Sequence, residues 1–74
     1  MFLAFHHKNL QSYRIMVIVE QHPNIQKWTN IFRGGKLIGQ LSCRAKALRL
    51  ATRIAKQHKT AVLNLDTNKV ERYD

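Results

Sequence analysis

Residues 42–59, with the sequence SCRAKALRLATRIAKQHK, decide the fold, because they predict one amphipathic helix from Ser42 to Lys59. At about 100° per residue, apolar and cationic residues separate onto opposite sides of this helix. The inner side holds Ala47, Leu48, Ala51, Ile54, Ala55 and His58. The outer side holds Lys46, Arg49, Arg53 and Lys56, which we call the cationic stripe. Small inner residues favour close packing on a β-sheet, so we expect the cationic stripe to face solvent.

Both ends of this helix carry signals of their own. Ser42 is the predicted N-cap, because its hydroxyl can accept a hydrogen bond from an amide of the first turn. Lys56 and Lys59 place positive charge at the negative end of the helix dipole. We expect His58 to be half-buried against the sheet.

Short strand patterns flank the helix on both sides. Ile15–Val19 is apolar throughout and predicts a strand that is central in a sheet or buried on both faces. Gly34 and Gly35 predict a tight hairpin turn. Gly39 indicates either a bulge or a close approach by the helix. The predicted strands are Tyr13–Gln21, Ile25–Arg33, Lys36–Leu41, Thr60–Leu65 and Lys69–Tyr73.

The second predicted strand has two chemically different faces. Trp28 and Phe32 lie four positions apart, so they share one face of this strand. We expect both aromatic side chains in the core. Trp28 is alternatively a platform on which a nucleobase can stack. If the other face is open, it forms a second basic surface. Its members would be Thr29, Ile31, Arg33, Lys27 and Lys36.

These patterns predict one small α+β domain with elements in the order βββαββ. Its parts are a three-stranded antiparallel meander, one amphipathic helix packed on that sheet, and a C-terminal strand pair. Residues 1–13 show no clear period and are interpreted either as a flexible lead-in segment or as a short segment that caps an open edge of the sheet. The compact domain then covers residues 14–74.

The charge balance indicates the class of partner. Thirteen Lys and Arg residues face four acids, which gives a net charge of +9. No acid lies between Gln21 and Leu65. Such an excess favours a polyanion, although it also serves plain solubility. The sequence predicts a nucleic-acid-binding accessory or regulatory protein, with DNA favoured over RNA. The candidate phosphate contacts are Lys46, Arg49, Arg53, Lys56, Arg44, Arg33 and Lys36.

A different class of partner stays open at this point. The same cations would suit an acidic protein, which the chain would bind as a small regulator or inhibitor. Leu50 lies between basic residues of the helix and is the expected apolar anchor of such a contact. Exposed edge strands offer a further route, by strand addition or by homodimer formation.

Catalytic and metal chemistry find little support in the residue pattern. Cys43 has no neighbouring base and is interpreted as a structural residue. The four histidines and the single cysteine lack metal-ligand spacing, and the scattered acids form no acid–base pair. We therefore expect no enzyme activity, no cofactor and no metal. The chain has no apolar run long enough for a membrane span, so we expect a cytoplasmic protein.

In its order of motifs the chain resembles a small bacterial family catalogued among the domains of unknown function, number 2188. The matching segments are Met16–Val19, Lys27–Thr29, Arg33–Lys36, Ser42–Ala47 with Ala51 and Ala55, Ala61–Leu63 and Asn68–Arg72. Asn68 stands where the family usually has Gly, and the helix lacks the acids that the family often carries in its first turn. The resemblance implies a compact α+β fold and no particular activity.

Overall fold

The computed structural model describes residues 16–74, which form five β-strands and one α-helix. Their order is βββαββ, which confirms the predicted α+β class. The lead-in segment and the first residues of the predicted strand Tyr13–Gln21 lie outside the described residues. The elements are β1 (Val17–Gln21), β2 (Thr29–Arg33), β3 (Lys36–Leu41), α1 (Arg44–His58), β4 (Ala61–Asn64) and β5 (Lys69–Arg72).

All five strands belong to one sheet, in the spatial order β3-β2-β1-β4-β5. The first three form the predicted antiparallel meander, and β4 and β5 form the C-terminal antiparallel pair. This pair joins the meander because β4 lies parallel to β1. As predicted, the apolar first strand is central, since it has a neighbour on each side.

The core lies between α1 and one face of the sheet, which we call the covered face. Ala47, Ala51 and Ala55 of the helix are fully buried there. They pack against β-branched side chains of three adjacent strands. These are Val17, Val19, Ile31 and Val62. A stripe of alanines brings a helix close to a sheet, so this core is thin and closely packed.

The predicted placement of the aromatic residues in the core was wrong. Ile31 and Thr29 of β2 are buried beneath α1, whereas Phe32 alternates to the other face and is half-buried. Trp28 precedes β2 and is half-buried outside the core cluster. The close contact with alanines accommodates compact β-branched side chains better than aromatic rings. The predicted second basic surface does not form, because Thr29 and Ile31 lie under the helix.

The other face of the sheet, which we call the second face, carries one apolar residue from every strand. The strand register joins Leu37 to Phe32, Phe32 to Ile18, Ile18 to Leu63 and Leu63 to Val70. These five residues form a line across the sheet that we call the apolar row. In the described part of the chain no helix packs on this face.

The turns follow the residue types at which they occur. Gly34 and Gly35 have φ angles of 62° and 78°, and the strand after them spans Lys36–Leu41 as predicted. The predicted irregularity at Gly39 is a bulge in the β2–β3 register. A Cβ at Gly39 would lie 3.4 Å from the Ile31 side chain, so the close neighbour is β2 and not the helix.

The helix is shorter than predicted at both ends. Cys43 is the N-cap and makes no side-chain capping hydrogen bond, so the prediction of Ser42 was wrong. Lys59 ends the helix in the left-handed conformation with φ 52°. His58 is exposed, so its predicted half-burial was also wrong. β2 is shorter too, because the amide of Trp28 donates to the carbonyl of Ile25 and closes a turn there at 3.0 Å.

Candidate nucleic-acid interface

The structure places the whole cationic stripe on the solvent side of α1. All four of its residues are exposed, while the alanines of the opposite side are buried. Ten residues separate Lys46 from Lys56, which corresponds to about 15 Å along the helix axis. The predicted site is therefore a straight, solvated line of four cations.

Three residues of this stripe have no acidic partner among the described residues. The ion pairs there join Arg44 to Asp66 and Arg72 to Asp74, and neither includes the stripe. Lys56 differs, because its Nζ lies 5.5 Å from the centroid of the Tyr73 ring. This cation–π contact holds Lys56 toward the C-terminal strand. Lys46, Arg49 and Arg53 therefore keep their charge available to a bound anion.

Arg44 forms part of a structural link, and its contacts are with residues outside the stripe. Its guanidinium donates to Gln21 Oε1 at 2.9 Å and lies 3.4 Å from Asp66 Oδ2. The Asp66 carboxylate also accepts the backbone N–H of Gln21, at 3.1 and 3.2 Å. These bonds tie the start of α1 to the end of β1 and to the β4–β5 turn. A phosphate at Arg44 would have to compete with this carboxylate.

Arg33 and Lys36 flank the Gly34–Gly35 turn and are Cα partners in the β2–β3 pair. Arg33 is half-buried and Lys36 is exposed. Val17 of β1 aligns with Arg33 on one side and with Val62 on the other. The Gly34–Gly35 turn therefore lies at the end of the sheet where β4 starts, and α1 terminates at the same end. The two cations therefore lie toward the Lys56 end of the stripe.

A shallow cleft of about 350 Å³ opens at the other end of the helix, beside Lys46. It is lined by Trp28, Gln40, Leu41, Ser42, Cys43 and Lys46. Trp28 and the first cation of the stripe, Lys46, line the same cleft. An aromatic surface beside a cation is the pair of groups that single-stranded nucleic acid uses, one for a base and one for a phosphate. The sequence suggests the stacking role of Trp28 but not its proximity to Lys46.

The loop before β2 holds Trp28 in place. The backbone N–H of His22 donates to the carbonyl of Trp28 at 2.9 Å. His22 Nδ1 accepts the backbone N–H groups of Asn24 and Ile25 at 3.0 and 3.1 Å. These bonds fix the backbone at Trp28, which is half-buried and lines the cleft.

Cys43 is exposed in this cleft, which differs from the structural role expected from the sequence. The backbone N–H of Lys46 lowers the pKa of its thiol, although the contact does not amount to a capping hydrogen bond. The backbone of Ala45 and the charge of Lys46 act in the same direction. Desolvation of the thiol acts in the opposite direction. Within residues 16–74, no cluster of three or more His, Cys, Asp or Glu residues could hold a metal ion.

Leu50 does not lie where the sequence predicts. It is half-buried and packs against the core cluster, so it is not an exposed anchor on the cationic side. Its neighbours Arg49 and Arg53 remain exposed. The exposed cations would still suit an acidic protein partner, but Leu50 is not available as its apolar contact.

Comparison with protein-family models, with curated proteins and with solved structures found no match for this chain. The resemblance to the numbered family of unknown function therefore stays a prediction. Among the described residues, no helix has the length and apolar character that crossing a membrane requires.

Proposed function

We propose that this chain is a small nucleic-acid-binding accessory protein that holds polynucleotide phosphates along the outer side of α1. The observation that carries the proposal is the exposed line of four cations, three of them without an acidic partner in the described residues. Phosphate contacts of this kind supply affinity without reading the base sequence. DNA is the favoured target over RNA.

The Trp28 cleft supports contact with an unpaired base as well. A base that leaves its stack can lie on the indole while its phosphate reaches Lys46. Stacking on an aromatic side chain contributes about 1–3 kcal/mol per base, which is roughly 5- to 150-fold in affinity. A strand that enters at Trp28 can then follow the stripe toward Lys56. This order of contacts favours single-stranded segments or duplex ends over the middle of a duplex.

A binding titration tests both parts of the proposal. The chain contains one tryptophan, so quenching of its fluorescence reports directly on the cleft. We expect a single-stranded oligonucleotide to quench it at low salt and a blunt duplex of equal length to quench it less. Trp28→Leu should weaken binding of the single strand more than binding of the duplex, as measured by anisotropy of a labelled strand.

The stripe is tested separately by replacing Lys46, Arg49 and Arg53 with glutamine. This variant should lose most of its binding to both kinds of nucleic acid. The control is Lys69→Gln with Arg72→Gln on β5, where both cations are exposed and lie outside the stripe. No binding at low salt, or equal losses in the stripe variant and the control, would refute the proposal.

An acidic protein partner is the alternative that uses the same cations. A pull-down from cell extract treated with nuclease separates the two. Partners that disappear with nuclease favour nucleic acid. A partner that persists, and that the glutamine variant of the stripe fails to capture, favours the acidic protein.

A further inference from the structure

Three of the most exposed large apolar side chains of the described residues lie on the second face. Five such side chains are about half exposed, namely Ile25, Leu37, Ile38, Leu65 and Val70. Leu37, Leu65 and Val70 belong to the second face. Leu37 and Val70 are the two ends of the apolar row, and Ile38 is the extra residue of the β3 bulge. Leu65 continues the alternation of β4, because its N–H donates to the carbonyl of Val19.

The second face is also electrically neutral, unlike the rest of the molecule. The charged strand residues that alternate onto it are Glu20, which aligns with Asn30, and Arg72, which aligns with Ala61. The other charged strand residues alternate toward the helix side. A neutral apolar face offers nothing to a phosphate backbone, so this surface suits a partner other than nucleic acid.

We propose that the second face binds the same face of a second copy of this chain and forms a two-fold symmetric dimer. Such an interface must be self-complementary, and a face with an apolar row and one charge of each sign meets that condition. Two sheets packed face to face lie about 10 Å apart and can interdigitate the apolar side chains.

The net charge of +9 does not oppose this arrangement. Each cationic stripe lies on the outer side of its helix, away from the interface. With about 10 Å per packed layer, the two stripes are about 40 Å apart in the dimer. This distance is several times the Debye length of about 8 Å at physiological salt. Both stripes also remain free to bind nucleic acid.

The edge strands are less suited to pairing between copies than the face is. β3 carries a bulge, which interrupts its free row of backbone groups. β5 has four residues, and three of them are charged, namely Lys69, Glu71 and Arg72. Short, charged or bulged edges discourage strand addition. The dimer through edge strands that the sequence leaves open has less support than one through the second face.

The size of the face predicts a weak dimer. Five strands span about 20 Å and strands of about five residues are about 17 Å long. The product, about 340 Å², is less than half of the roughly 800 Å² per partner of a standard interface. We therefore expect a dissociation constant in the high micromolar range, with monomers at low concentration.

Sedimentation equilibrium of the full chain without nucleic acid tests the proposal independently of the proposed function. The average mass should rise from 8.7 kDa toward twice that value as the concentration increases through the micromolar range. Leu37→Lys places a charge in the interface and should weaken association about 10-fold or more. The matched control is Ile25→Lys in the loop before β2, because Ile25 is 47% exposed and Leu37 is 52% exposed. The control should associate like the parent chain.

A second variant keeps the test decisive if Leu37→Lys does not fold, as judged by circular dichroism. Val70→Lys lies on the opposite edge of the face and should weaken association to a similar extent. A chain that is monomeric at every concentration would overturn the proposal and assign the face to another occupant, such as a different protein or residues 1–15. Association that neither variant weakens, or that protects only the edge amides of β3 and β5 from hydrogen exchange, would overturn it as well.

Discussion

Neutralising Arg49 and Arg53 with glutamine should halve the salt dependence of duplex binding. These two residues are the centre of the cationic stripe, and both are exposed and without an acidic partner in the described residues. Each phosphate contact releases counterions, so the logarithm of the binding constant falls with the logarithm of salt concentration by about 0.9 per contact. Four contacts give a slope of about −3.6 and two give about −1.8.

These slopes correspond to a large difference in a simple measurement. Raising salt from about 50 to about 200 mM should weaken binding by the parent chain about 150-fold. The same change should weaken binding by the double variant about 12-fold. Anisotropy of a labelled duplex of about 15 base pairs, measured at five or more salt concentrations, gives both slopes.

The control variant removes the same number of charges from another place. Lys69→Gln with Arg72→Gln changes two exposed cations of β5. Its slope should equal that of the parent chain, although its affinity can fall slightly through the lower net charge. The reasoning is refuted if both double variants show the same slope. It is also refuted if the parent chain shows a slope near zero.

Three further predictions concern stability and reactivity. Ala51→Leu should destabilise the fold by about 1–3 kcal/mol in urea denaturation, because Ala51 is fully buried against the sheet; Ala45→Leu, at an exposed position of the same helix, should change stability little. The Cys43 thiol should react with Ellman's reagent with a pH midpoint below that of the urea-unfolded chain, because its pKa is lowered in the folded state; identical midpoints would contradict this. Asn68 has φ 59°, so Asn68→Val should cost about 1–2 kcal/mol while Asn68→Gly should not destabilise; equal urea midpoints for the two variants would contradict it.

Local patterns predicted the elements of this fold well where a residue type forces the geometry. Gly34 and Gly35 marked the hairpin, and the strand after them has the predicted bounds Lys36–Leu41. The 3.6-residue period of α1 separated the buried alanines from the exposed cations. The stripe could be predicted for the same reason, since exposure follows directly from the period of the helix.

The choice between the two faces of β2 could not be read from alternation alone. Alternation separates Ile31 from Phe32 but does not state which of them the helix covers. Placing the aromatics in the core assumed that ring area decides burial. In the structure the spacing between α1 and the sheet decides it, and the alanines of α1 set that spacing. The alanines of the helix therefore indicate which face of β2 the helix covers.

Contacts between distant segments were the other limit. Trp28 and Lys46 line one cleft although eighteen positions separate them, and neither local pattern indicates the other. Leu50 was assigned to solvent from its charged neighbours, but it packs against the core. The helix wheel treats a face as a fixed arc, whereas a helix on a twisted sheet also uses its flanks.

The parallel pairing of β1 with β4 has a consequence for how the chain is made. β1 ends at Gln21 and β4 begins at Ala61, so its partner emerges from the ribosome about 40 residues later. At about 5–20 residues per second, this delay lasts roughly 2–8 seconds. During that time one side of β1 has no β4 to pair with, and its free backbone groups can recruit strands of other chains. Rapid completion of synthesis, or a chaperone that shields Val17 and Val19, should therefore raise the yield of folded protein.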